Sequence, residues 1–482
     1  MTLRILAIGA YIPQARLSRK VMAQANTWFN PGLGGLGRGE RAMANWDEDA
    51  ITMAVEAARD CLVDRDRRSI DTAYLASTSH PFLDRQNSGI FADAVGLRPD
   101  LQAMDIAGSQ RAGTSALIAG LKAAKSGDTV LVAAADKRPT KSASTQEMTY
   151  GDGAVAALLA DGEEAGVAEL IGWHSETVDF VDHYRTQEHP FDYAWEERWI
   201  RDEGYLKIAP AAINAVLAKT GTAAAAVTHF CFPHPQARTI AAVAKSVGLA
   251  EECIADNLQE NCGNTGVAHA LMMLAQVLET ANKGDVILVA SFGQGCDALL
   301  LRATGERPAG RGVAGHLARR YEETNYQKFM AFNNLVTMEH GLRAEADKGT
   351  GLSTHFRNKE MSQGMIGGKC SVCATAQFPK TNVCANPNCN AVESQEPEPF
   401  ADASAKINSY TADKLTYSMD PPAYYGMVQF DKGGRLMMDF TDITPGSDVD
   451  VDMAMRMMFR VKDYDTLRGF RRYFWKAVPA NQ

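Results

Sequence analysis

Four cysteines in the C-terminal third of the chain have the spacing of a metal site. The four are Cys370, Cys373, Cys384 and Cys389, while the other five cysteines of the chain are scattered. Two closely spaced thiolate pairs on turns can complete a tetrahedral shell around zinc, and four protein ligands leave no position for a substrate. The spacing therefore predicts a structural zinc site, although the second pair is wider than usual. The alternative is four unconnected reduced cysteines.

Two Gly-containing turns, before Thr114 and Thr265, are the candidate catalytic loops because they occupy equivalent places in an internal repeat. The segment from Asp71 to Pro81 has a counterpart from Ala225 to Pro235. Each copy continues with a helix-like run, an Ala-rich apolar stretch and a buried-strand run after Gly-Asp. Two copies of one strand–helix–strand unit imply an internal dyad. A site at that dyad would take one loop from each half.

Composition indicates a globular protein with several domains. The chain has 482 residues, of which 46% are hydrophobic and 22% charged, so two or three domains are expected. A net charge of −9 argues against nucleic acid as the main partner. No segment resembles a secretory signal or a membrane span. One cysteine cluster among scattered cysteines suits a reducing compartment, and a cytoplasmic location is predicted.

The order of predicted elements favours an α/β domain followed by a small β domain. Buried strands alternate with helices up to a Gly-rich stretch at Ala309–Gly315. A polar segment at Tyr321–Ala346 is predicted to be helical. Beyond the cysteines the pattern changes to short strands separated by turn signals, as in a small β-barrel. The predicted strands are Ala405–Thr411, Tyr424–Asp431, Arg435–Phe440 and Asp448–Phe459.

Several motifs of the N-terminal part resemble the thiolase superfamily, above all archaeal-type 3-hydroxy-3-methylglutaryl-CoA synthases and ketoacyl-carrier-protein synthases of type III. The remainder of the chain is similar to the rubredoxin-like zinc ribbon plus OB-fold domain that accompanies such enzymes. The motifs that carry the resemblance are Gly9-Ala-Tyr-Ile-Pro13, Asp47-Glu-Asp-Ala-Ile-Thr-Met-Ala-Val-Glu-Ala-Ala58, Ser77-Thr-Ser-His-Pro81, Gly151-Asp-Gly153, Pro233-His234, Gly263-Asn-Thr265 and Phe292-Gly-Gln-Gly295.

This resemblance implies an α/β fold of the duplicated, layered thiolase type. The expected boundaries are 1–308 for the thiolase-like domain (pseudo-repeats of about 1–160 and 161–308), 309–355 for a linker with a helix, 356–399 for the zinc ribbon and 400–482 for the OB-fold. It also implies a homodimer or higher homo-oligomer that pairs through a strand at the sheet edge. The barrel lacks the basic groove with spaced aromatics that nucleic-acid-binding OB-folds carry.

The resemblance fails at the positions where the family holds its nucleophile and its acid/base carboxylate. Alignment of the segment that starts at Asp105 places Gln110 where the family has a catalytic cysteine. Thr78 stands where the methylglutaryl synthases have a glutamate. Acyl transfer through an acyl-cysteine is therefore not expected. Cys262 and Cys296 flank the candidate loops and could replace the missing thiol, with ordinary buried cysteines as the alternative.

The family's oxyanion-binding pair is present. The resemblance places His234 and Asn264 at the family's His and Asn, which bind the thioester carbonyl as it becomes an enolate. An amide at Gln110 is no nucleophile, but at a helix N-terminus it can donate a hydrogen bond to a developing oxyanion. The alternatives are a core histidine at His234 and an inactive protein in which Gln110 reflects decay.

Other polar residues near these loops are further candidates for water activation or for binding coenzyme A. His80 lies in repeat register with His234, reaches the pocket in our interpretation, and is the candidate to activate water. Lys137, Arg138 and Lys141 could meet the phosphates of coenzyme A or form a solvated loop.

The favoured function is cleavage of a carbon–carbon bond β to an acyl-CoA thioester through an enolate, as hydrolytic retro-Claisen cleavage of a β-ketoacyl-CoA. Water would replace the cysteine, and the products would be a free acid and acetyl-CoA. The alternatives are decarboxylation of a malonyl-type thioester, a condensing acyltransferase, and a non-catalytic scaffold that channels CoA esters. Coenzyme A enters as part of the substrate, and a CoA ligase or a thiolase-pathway enzyme is a candidate partner.

Overall fold

A computed structural model describes residues 2–345 and 348–481 of the chain. The chain forms two compact units. Residues 1–44, 49–92 and 97–335 form the first, and residues 45–48, 93–96 and 336–482 form the second. The structure does not describe Met1, Ala346, Asp347 and Gln482. The last residue of the helix predicted at Tyr321–Ala346 therefore lies outside the described residues. The domain boundaries predicted from sequence stay predictions.

The larger unit consists of alternating strands and helices around one large sheet. Its strands are β1 (Thr2–Tyr11), β2 (Ala15–Ser18), β3 (Glu40–Met43), β4 (Thr72–Ala76), β5 (Gln102–Ile106), β6 (Val130–Asp136), β7 (Gly153–Gly162), β8 (Ala168–Thr177), β9 (His183–Tyr184), β10 (Tyr193–Ala194), β11 (His229–Cys231), β12 (Val286–Phe292), β13 (Gly295–Ala303) and β14 (Tyr321–Glu323). Its helices are α1 (Arg19–Asn26), α2 (Ala50–Cys61), α3 (Asn87–Val95, whose last residues belong to the second unit), α4 (Ala112–Ala124), α5 (Thr145–Thr149), α6 (Glu197–Trp199), α7 (Ala209–Thr220), α8 (Ala237–Ser246), α9 (His269–Leu278), α10 (Gly312–Ala318) and α11 (Tyr326–Phe332).

The strand order of the large sheet shows the internal repeat directly. The order is β11-β12-β13-β8-β1-β7-β6-β4-β5, and β8 pairs with β1 at the centre. From the centre outward, one half contains β1, β7, β6, β4 and β5, and the other contains β8, β13, β12 and β11 in the same places. The second half has no full strand equivalent to β5 among the described residues, but a single bridge from Ile254 to β11 occupies that position. The predicted α/β, thiolase-like duplicated fold is confirmed.

Helices α4 and α9 occupy equivalent places in the two halves and cover one face of the sheet. Their apolar residues join one core cluster with the strands of both halves. Gly120 allows α4 to approach closely, because an added Cβ would lie 2.8 Å from Val132 Cγ2. On the other face, α2 packs on β1 and a second cluster joins α7 and α8 to β11–β13. The turns that begin α4 and α9 therefore come from opposite halves of the chain.

Among the described residues, β4 is the only strand that pairs with β5, which leaves the other edge of β5 open. β5 is the last strand in the order, and much of it is exposed, including Met104 at 40%. An unpaired strand edge is a ready template for pairing with another chain. The exposed edge agrees with the homodimer expected from sequence, which stays a prediction.

The second unit contains two small sheets. Its elements are α12 (Leu352–Arg357), α13 (Lys359–Ser362), β15 (Ile366–Cys370), β16 (Ala376–Gln377), β17 (Gln395–Pro399), β18 (Ala405–Asp413), β19 (Ala423–Phe430), β20 (Arg435–Asp439), β21 (Ala454–Asp465) and β22 (Phe470–Pro479). The last five strands follow the order β20-β19-β18-β21-β22, and a parallel bridge from Phe440 to Ala477 closes the ring. This connectivity is that of a small five-stranded barrel, as predicted, and the OB-fold assignment itself stays a prediction.

Two local expectations were wrong. The segment predicted as one helix from Tyr321 forms β14 and the short helix α11, and its described part after Phe332 holds only the single turn Leu342–Ala344. The predicted strand at Asp448 begins six residues later, at Ala454, and the strand β22 was not predicted. Arg471, Arg472 and Lys476 interrupt the apolar pattern of β22, which is why sequence periodicity did not reveal it. None of the described helices combines the length and apolar character that a bilayer span requires.

Candidate active site and metal centre

The buried carboxylate of Asp136 organises the loops at one edge of the large sheet. It ends β6, next to the parallel strand β4, and it is fully buried. Five donors bind it: the hydroxyls of Ser77 (2.9 Å), Thr78 (3.0 Å) and Ser79 (2.8 Å), and the backbone N–H groups of Thr78 (2.8 Å) and Val267 (2.9 Å). One carboxylate thus joins the loop after β4 to the turn before α9.

The turn before α9 can pack against Asp136 only because it contains a glycine, Gly266. Gly266 has a φ of 63°, and a Cβ at this position would lie 2.2 Å from Asp136 Oδ2. A glycine supplies both the left-handed backbone and the space for the carboxylate.

Gln110 lies in the turn before α4 and contacts the loop that Asp136 holds. Its side-chain Nε2 is 3.4 Å from the hydroxyl oxygen of Thr78, which donates its own proton to Asp136. An amide that donates one N–H in this way keeps a second N–H and its carbonyl oxygen for a ligand. The structure therefore brings the two positions that depart from the family pattern into contact.

The buried carboxylate of Asp297 fixes the start of α4. It accepts from Arg111 Nη1 at 2.7 Å, Thr114 Oγ1 at 3.0 Å and Ser115 Oγ at 2.6 Å. A Cβ on Gly293 would lie 3.1 Å from the backbone nitrogen of Gln110, so the loop between β12 and β13 packs directly on this turn. Gln110 is consequently held by residues from both halves.

His234 follows β11 and is held as a neutral donor. The backbone N–H of Gln236 lies 2.9 Å from Nδ1 of His234, whereas the Gln236 carbonyl oxygen is 3.2 Å from the same nitrogen. The shorter contact indicates that Nδ1 accepts, which leaves the proton on Nε2. Burial lowers the pKa of His234 to about 4. The imidazole can therefore donate from Nε2 at neutral pH without carrying a charge.

Asn264 is also oriented as a donor. Its Oδ1 accepts the backbone N–H of Gly266 at 2.9 Å, so its Nδ2 amide group is the part left to bind a ligand. Its backbone pairs with Thr149 and Gly151, each at 2.9 Å. A Cβ on Gly151 would lie 1.9 Å from the carbonyl oxygen of Cys262, which explains the glycine at this contact.

A buried histidine that sequence analysis missed links these two donors. His269 Nδ1 accepts the backbone N–H of Thr265 at 3.1 Å, and its Nε2 lies 2.8 Å from the carbonyl oxygen of Asn257. The side-chain amide of Asn257 in turn donates to the carbonyl oxygen of His234 at 3.0 Å. Burial lowers the pKa of His269 to about 4, so this chain of hydrogen bonds is neutral. It fixes the His234 and Asn264 loops relative to each other.

His80 lies on the loop that Asp136 organises. Both of its ring nitrogens are buried and have no hydrogen bond of normal geometry within residues 2–345 and 348–481, although the ring lies near the backbone of Ile106. Burial lowers the pKa of His80, and the carboxylates of Asp105 and Asp136 oppose that shift. A neutral imidazole whose nitrogens are unpaired can accept a proton from a ligand or a water molecule.

The cysteines beside the site are poor nucleophiles. Cys231, Cys262 and Cys296 are all fully buried. Burial raises the pKa of Cys262 to about 11, and it raises the pKa of the other two thiols as well. Because the thiolate is the reactive form, none of the three is activated at neutral pH. This supports the interpretation of Cys262 and Cys296 as ordinary core residues.

The basic residues suggested for coenzyme A phosphates are not equivalent. Arg138 is buried, pairs with Asp192, and donates to the hydroxyl of Tyr150 at 2.6 Å. The commitment of this guanidinium inside the protein argues against phosphate binding by Arg138, and the role stays a prediction. Lys137 is partly buried, and its backbone N–H donates to Ser79 at 2.9 Å, whereas Lys141 is exposed.

The segment that supplies Asp192 gave no signal in the sequence. This residue and Arg185 belong to the β9–β10 hairpin, which has no recognisable motif. Arg185 donates to Asp192 at 2.7 Å and also to the carbonyl oxygen of Thr78. Asp136 was the residue within reach of prediction, since it is an acidic group at the carboxyl end of a predicted strand, where α/β sheets place their ligands.

The four clustered cysteines come together in the second unit. All four Sγ atoms lie within 4.8 Å of one another, with 3.9 Å between Cys370 and Cys389 and 3.5 Å between Cys373 and Cys384. A tetrahedral zinc with bonds of about 2.3 Å places its sulfurs about 3.8 Å apart. The donor set and its spacing therefore fit a zinc ion with no open position.

The wide spacing of the second cysteine pair has a structural explanation. In the first turn, the N–H of Ala374 donates to the carbonyl of Cys370, and Ala374 has a φ of 61°. In the second turn, Asn390 makes the same bond to Asn386 and has a φ of 52°. Asn386 thus takes the backbone place of a cysteine, and its N–H donates to the sulfur of Cys384 at 3.4 Å. The two turns therefore have the same backbone conformation, but Cys384 lies two residues before the second turn, whereas Cys370 begins the first.

Comparison with known proteins agrees with this architecture. Residues 217–302 match the model of the 3-oxoacyl-[acyl-carrier-protein] synthase III C-terminal domain. The hydroxymethylglutaryl-CoA synthase of Methanococcoides burtonii is 31% identical over 314 residues, which are 63% of this chain and 89% of that protein. The enzyme of Methanosarcina barkeri is 32% identical over 305 residues, 61% of this chain and 86% of that protein. The chain belongs to the hydroxymethylglutaryl-CoA synthase family, within the thiolase superfamily.

Solved structures of this superfamily share the fold. A hydroxymethylglutaryl-CoA synthase complexed with CoA aligns with a TM-score of 0.62 at 18% identity, covering 73% of this chain and 95% of that chain. The 3-oxoacyl-(acyl carrier protein) synthase III of Pseudomonas aeruginosa PAO1 aligns with a TM-score of 0.56 at 20% identity, covering 64% and 99%. The likeness concerns the fold and leaves the chemistry to the site residues.

The protonation of His234 can be tested without a substrate. We expect its imidazole to stay neutral from pH 8 down to about pH 5, because burial lowers its pKa to about 4. Nitrogen NMR of labelled protein measures this, with His234→Gln to assign the signal. Denatured protein is the control, since free imidazoles titrate near about 6.5. The unfolded chain binds this proton at a higher pH than the folded protein does. The free energy of unfolding should therefore fall as the pH drops from about 6.5 towards about 4. A resonance titrating near 6.5 would contradict the neutral donor.

The metal centre has an equally direct test. Protein purified without chelator should contain one zinc per chain, and Cys370→Ser should lose most of it, because three thiolates do not close the shell. Cys253→Ser is the matched control, since Cys253 is a buried cysteine outside the cluster. Elemental analysis gives the zinc content, and limited proteolysis should show loosening after residue 336 before the first unit is cut. Zinc-free wild-type protein would contradict the prediction.

Proposed function

We propose that the protein is an enzyme that acts on an acyl-CoA thioester and breaks a carbon–carbon bond β to it through an enolate, without an acyl-cysteine. The favoured reaction is hydrolytic retro-Claisen cleavage of a β-ketoacyl-CoA to a free acid and acetyl-CoA. The observation that carries the proposal is the pairing of two neutral donors, His234 and Asn264, with an amide in place of a nucleophile at Gln110. Its relatives are named as CoA-dependent synthases, which supports the thioester class.

The enolate side of the reaction uses His234 and Asn264. When the bond between the α- and β-carbons breaks, its electron pair moves into the thioester carbonyl and forms an enolate. Nε2–H of His234 and Nδ2–H of Asn264 would donate to that oxygen. Donors that are already fixed stabilise the developing charge without reorganisation. The hydrogen-bond chain through His269 supplies that rigidity.

The acyl side carries neither the cysteine nor the glutamate that the resemblance would place there. Gln110 contacts Thr78, so two hydrogen-bonding groups stand where the resemblance puts a cysteine and a glutamate. Water would add to the β-carbonyl carbon, with Gln110 polarising that carbonyl. Collapse of the adduct releases the acid, and a proton returned to the α-carbon gives acetyl-CoA. The overall reaction consumes one water molecule and involves no oxidation or reduction.

His80 is the group best suited to activate the water. Burial lowers its pKa, its ring nitrogens have no side-chain hydrogen-bond partner within the described part of the chain, and it shares the Asp136 loop with Thr78. A base that is neutral at the working pH can accept the proton as water attacks. Asp84 is exposed, which makes it the weaker candidate.

Condensation is the second candidate, and the names of the relatives favour it. A synthase would join two acyl groups and would need an acyl carrier on the protein. The buried thiols beside the site, with their raised pKa values, argue against that step. Decarboxylation of a malonyl-type thioester would use the same enolate donors, and a channelling scaffold would need none of them.

A substrate panel separates these reactions. Purified protein is incubated in H₂¹⁸O with acetoacetyl-CoA, an aroylacetyl-CoA, malonyl-CoA, or acetoacetyl-CoA plus acetyl-CoA, and the products are analysed by mass spectrometry. We expect a free acid that carries one ¹⁸O, together with acetyl-CoA, from a β-ketoacyl-CoA. A chain-extended product would show condensation, and acetyl-CoA from malonyl-CoA alone would show decarboxylation. No turnover of any substrate would favour the scaffold.

Variants test the proposed roles. His234→Ala and Asn264→Ala should each lower kcat/KM about a hundredfold, the usual cost of removing an oxyanion donor. Cys262→Ala and Cys296→Ala are the controls and should remain active. Gln110→Cys restores the family nucleophile, so intact-protein mass spectrometry should detect an acyl adduct in that variant and none in the wild type. An adduct on Cys231, Cys262 or Cys296 of the wild type would overturn the mechanism.

A further inference from the structure

A pair of arginines shares one carboxylate beside the Gln110 side of the site. Asp192 accepts from Arg185 on Oδ1 at 2.7 Å, and on Oδ2 from Arg138 and from the Tyr150 hydroxyl, the latter at 2.9 Å. The side chains of Asp192 and Arg138 are 3% and 4% exposed, whereas Arg185 is 18% exposed. Two guanidiniums therefore meet one carboxylate, and Arg185 is the member that solvent or a ligand can reach.

The neighbouring groups compensate the charges of the two arginines unequally. Burial raises the pKa of Tyr150, so its hydroxyl stays neutral. Asp136 and Asp192 both act to raise the pKa of Arg138, so that guanidinium has two acidic neighbours, whereas the carboxylate bound to Arg185 is the shared Asp192. A buried cation that shares its counterion favours an additional anion.

Arg185 is placed where the acyl part of a thioester would lie. Its guanidinium donates to the carbonyl oxygen of Thr78, and the hydroxyl of the same residue is 3.4 Å from the Gln110 amide. His234 and Asn264, which hold the thioester oxygen in the proposed function, lie after β11 and in the turn before α9. A guanidinium presents a fork of donors that matches a carboxylate in two-point contact.

We infer that the acyl part of the substrate carries a second carboxylate, which Arg185 binds, so that the enzyme acts on β-ketoacyl-CoA esters of dicarboxylic acids. This inference rests on the proposed function for its CoA thioester. Arg138 and Asp192 orient Arg185 and are positioning residues. The hairpin that carries Arg185 and Asp192 thus selects the substrate, and the reaction would release a dicarboxylic acid with acetyl-CoA.

The test compares paired substrates of equal chain length, 3-oxohexanoyl-CoA and 3-oxoadipyl-CoA. The wild type should prefer the carboxylate by about 10- to 100-fold in kcat/KM, the effect of a hydrogen bond to a charged group. Arg185→Gln should bring that ratio close to one, and Arg185→Lys should keep part of it. Arg198→Gln is the control, because Arg198 lies in the same region with 80% of its side chain exposed, and its ratio should match the wild type. Equal loss for both substrates in Arg185→Gln would show a purely structural latch and overturn the inference.

Binding separates this inference from the proposed reaction. Calorimetry with adipyl-CoA and hexanoyl-CoA, which match the paired substrates in length but lack the β-ketone, requires no bond cleavage. Tighter binding of adipyl-CoA that is lost in Arg185→Gln would support the carboxylate site even if no β-ketoacyl-CoA is cleaved. Equal binding and equal turnover by the wild type would overturn the inference and leave the proposed reaction intact. Because the wild type alone gives this result, the test does not depend on the variant folding.

Discussion

The charge of Asp136 is the constraint on which the site depends, because a carboxylate buried at the end of a strand must be surrounded by donors. Five hydrogen bonds meet it, and they come from the loop after β4 and the turn before α9. A buried anion without such donors would be neutralised or expelled. Its satisfaction therefore forces two loops from opposite halves of the chain into one arrangement. Asn264 and His80 occupy positions that follow from it, and Gln110 contacts the same loop through Thr78.

Burial has opposite chemical consequences for the histidines and the cysteines of this site. It lowers the pKa of His234 and His269 to about 4, which keeps neutral imidazoles as donors. The same exclusion of water raises the pKa of Cys262 to about 11, which keeps its thiol protonated. A water-poor pocket with fixed neutral donors suits charge that develops on a ligand oxygen. It does not suit a protein thiolate, which agrees with an amide at Gln110.

Repetition and local spacing made most of the fold predictable. The matched segments at Asp71 and Ala225 became β4 and β11, and the halves are related about the β8–β1 pair. Failures occurred where periodicity was weak or charges interrupted it, as in the segment after Tyr321 and in β22. Those elements are decided by what packs against them rather than by their own pattern.

The sequence by itself determined features that depend on neighbours in the chain. The cysteine spacing brings four sulfurs together through two turns, and the Gly-Asn-Thr turn orients the amide of Asn264 through a bond two residues away. Only the tertiary structure decided which distant groups share a charge. Arg185 and Asp192 reach Thr78 and Arg138 across 107 and 54 positions of the chain. Such contacts leave no local signal, because their free energy comes from burying opposite charges that meet only after folding.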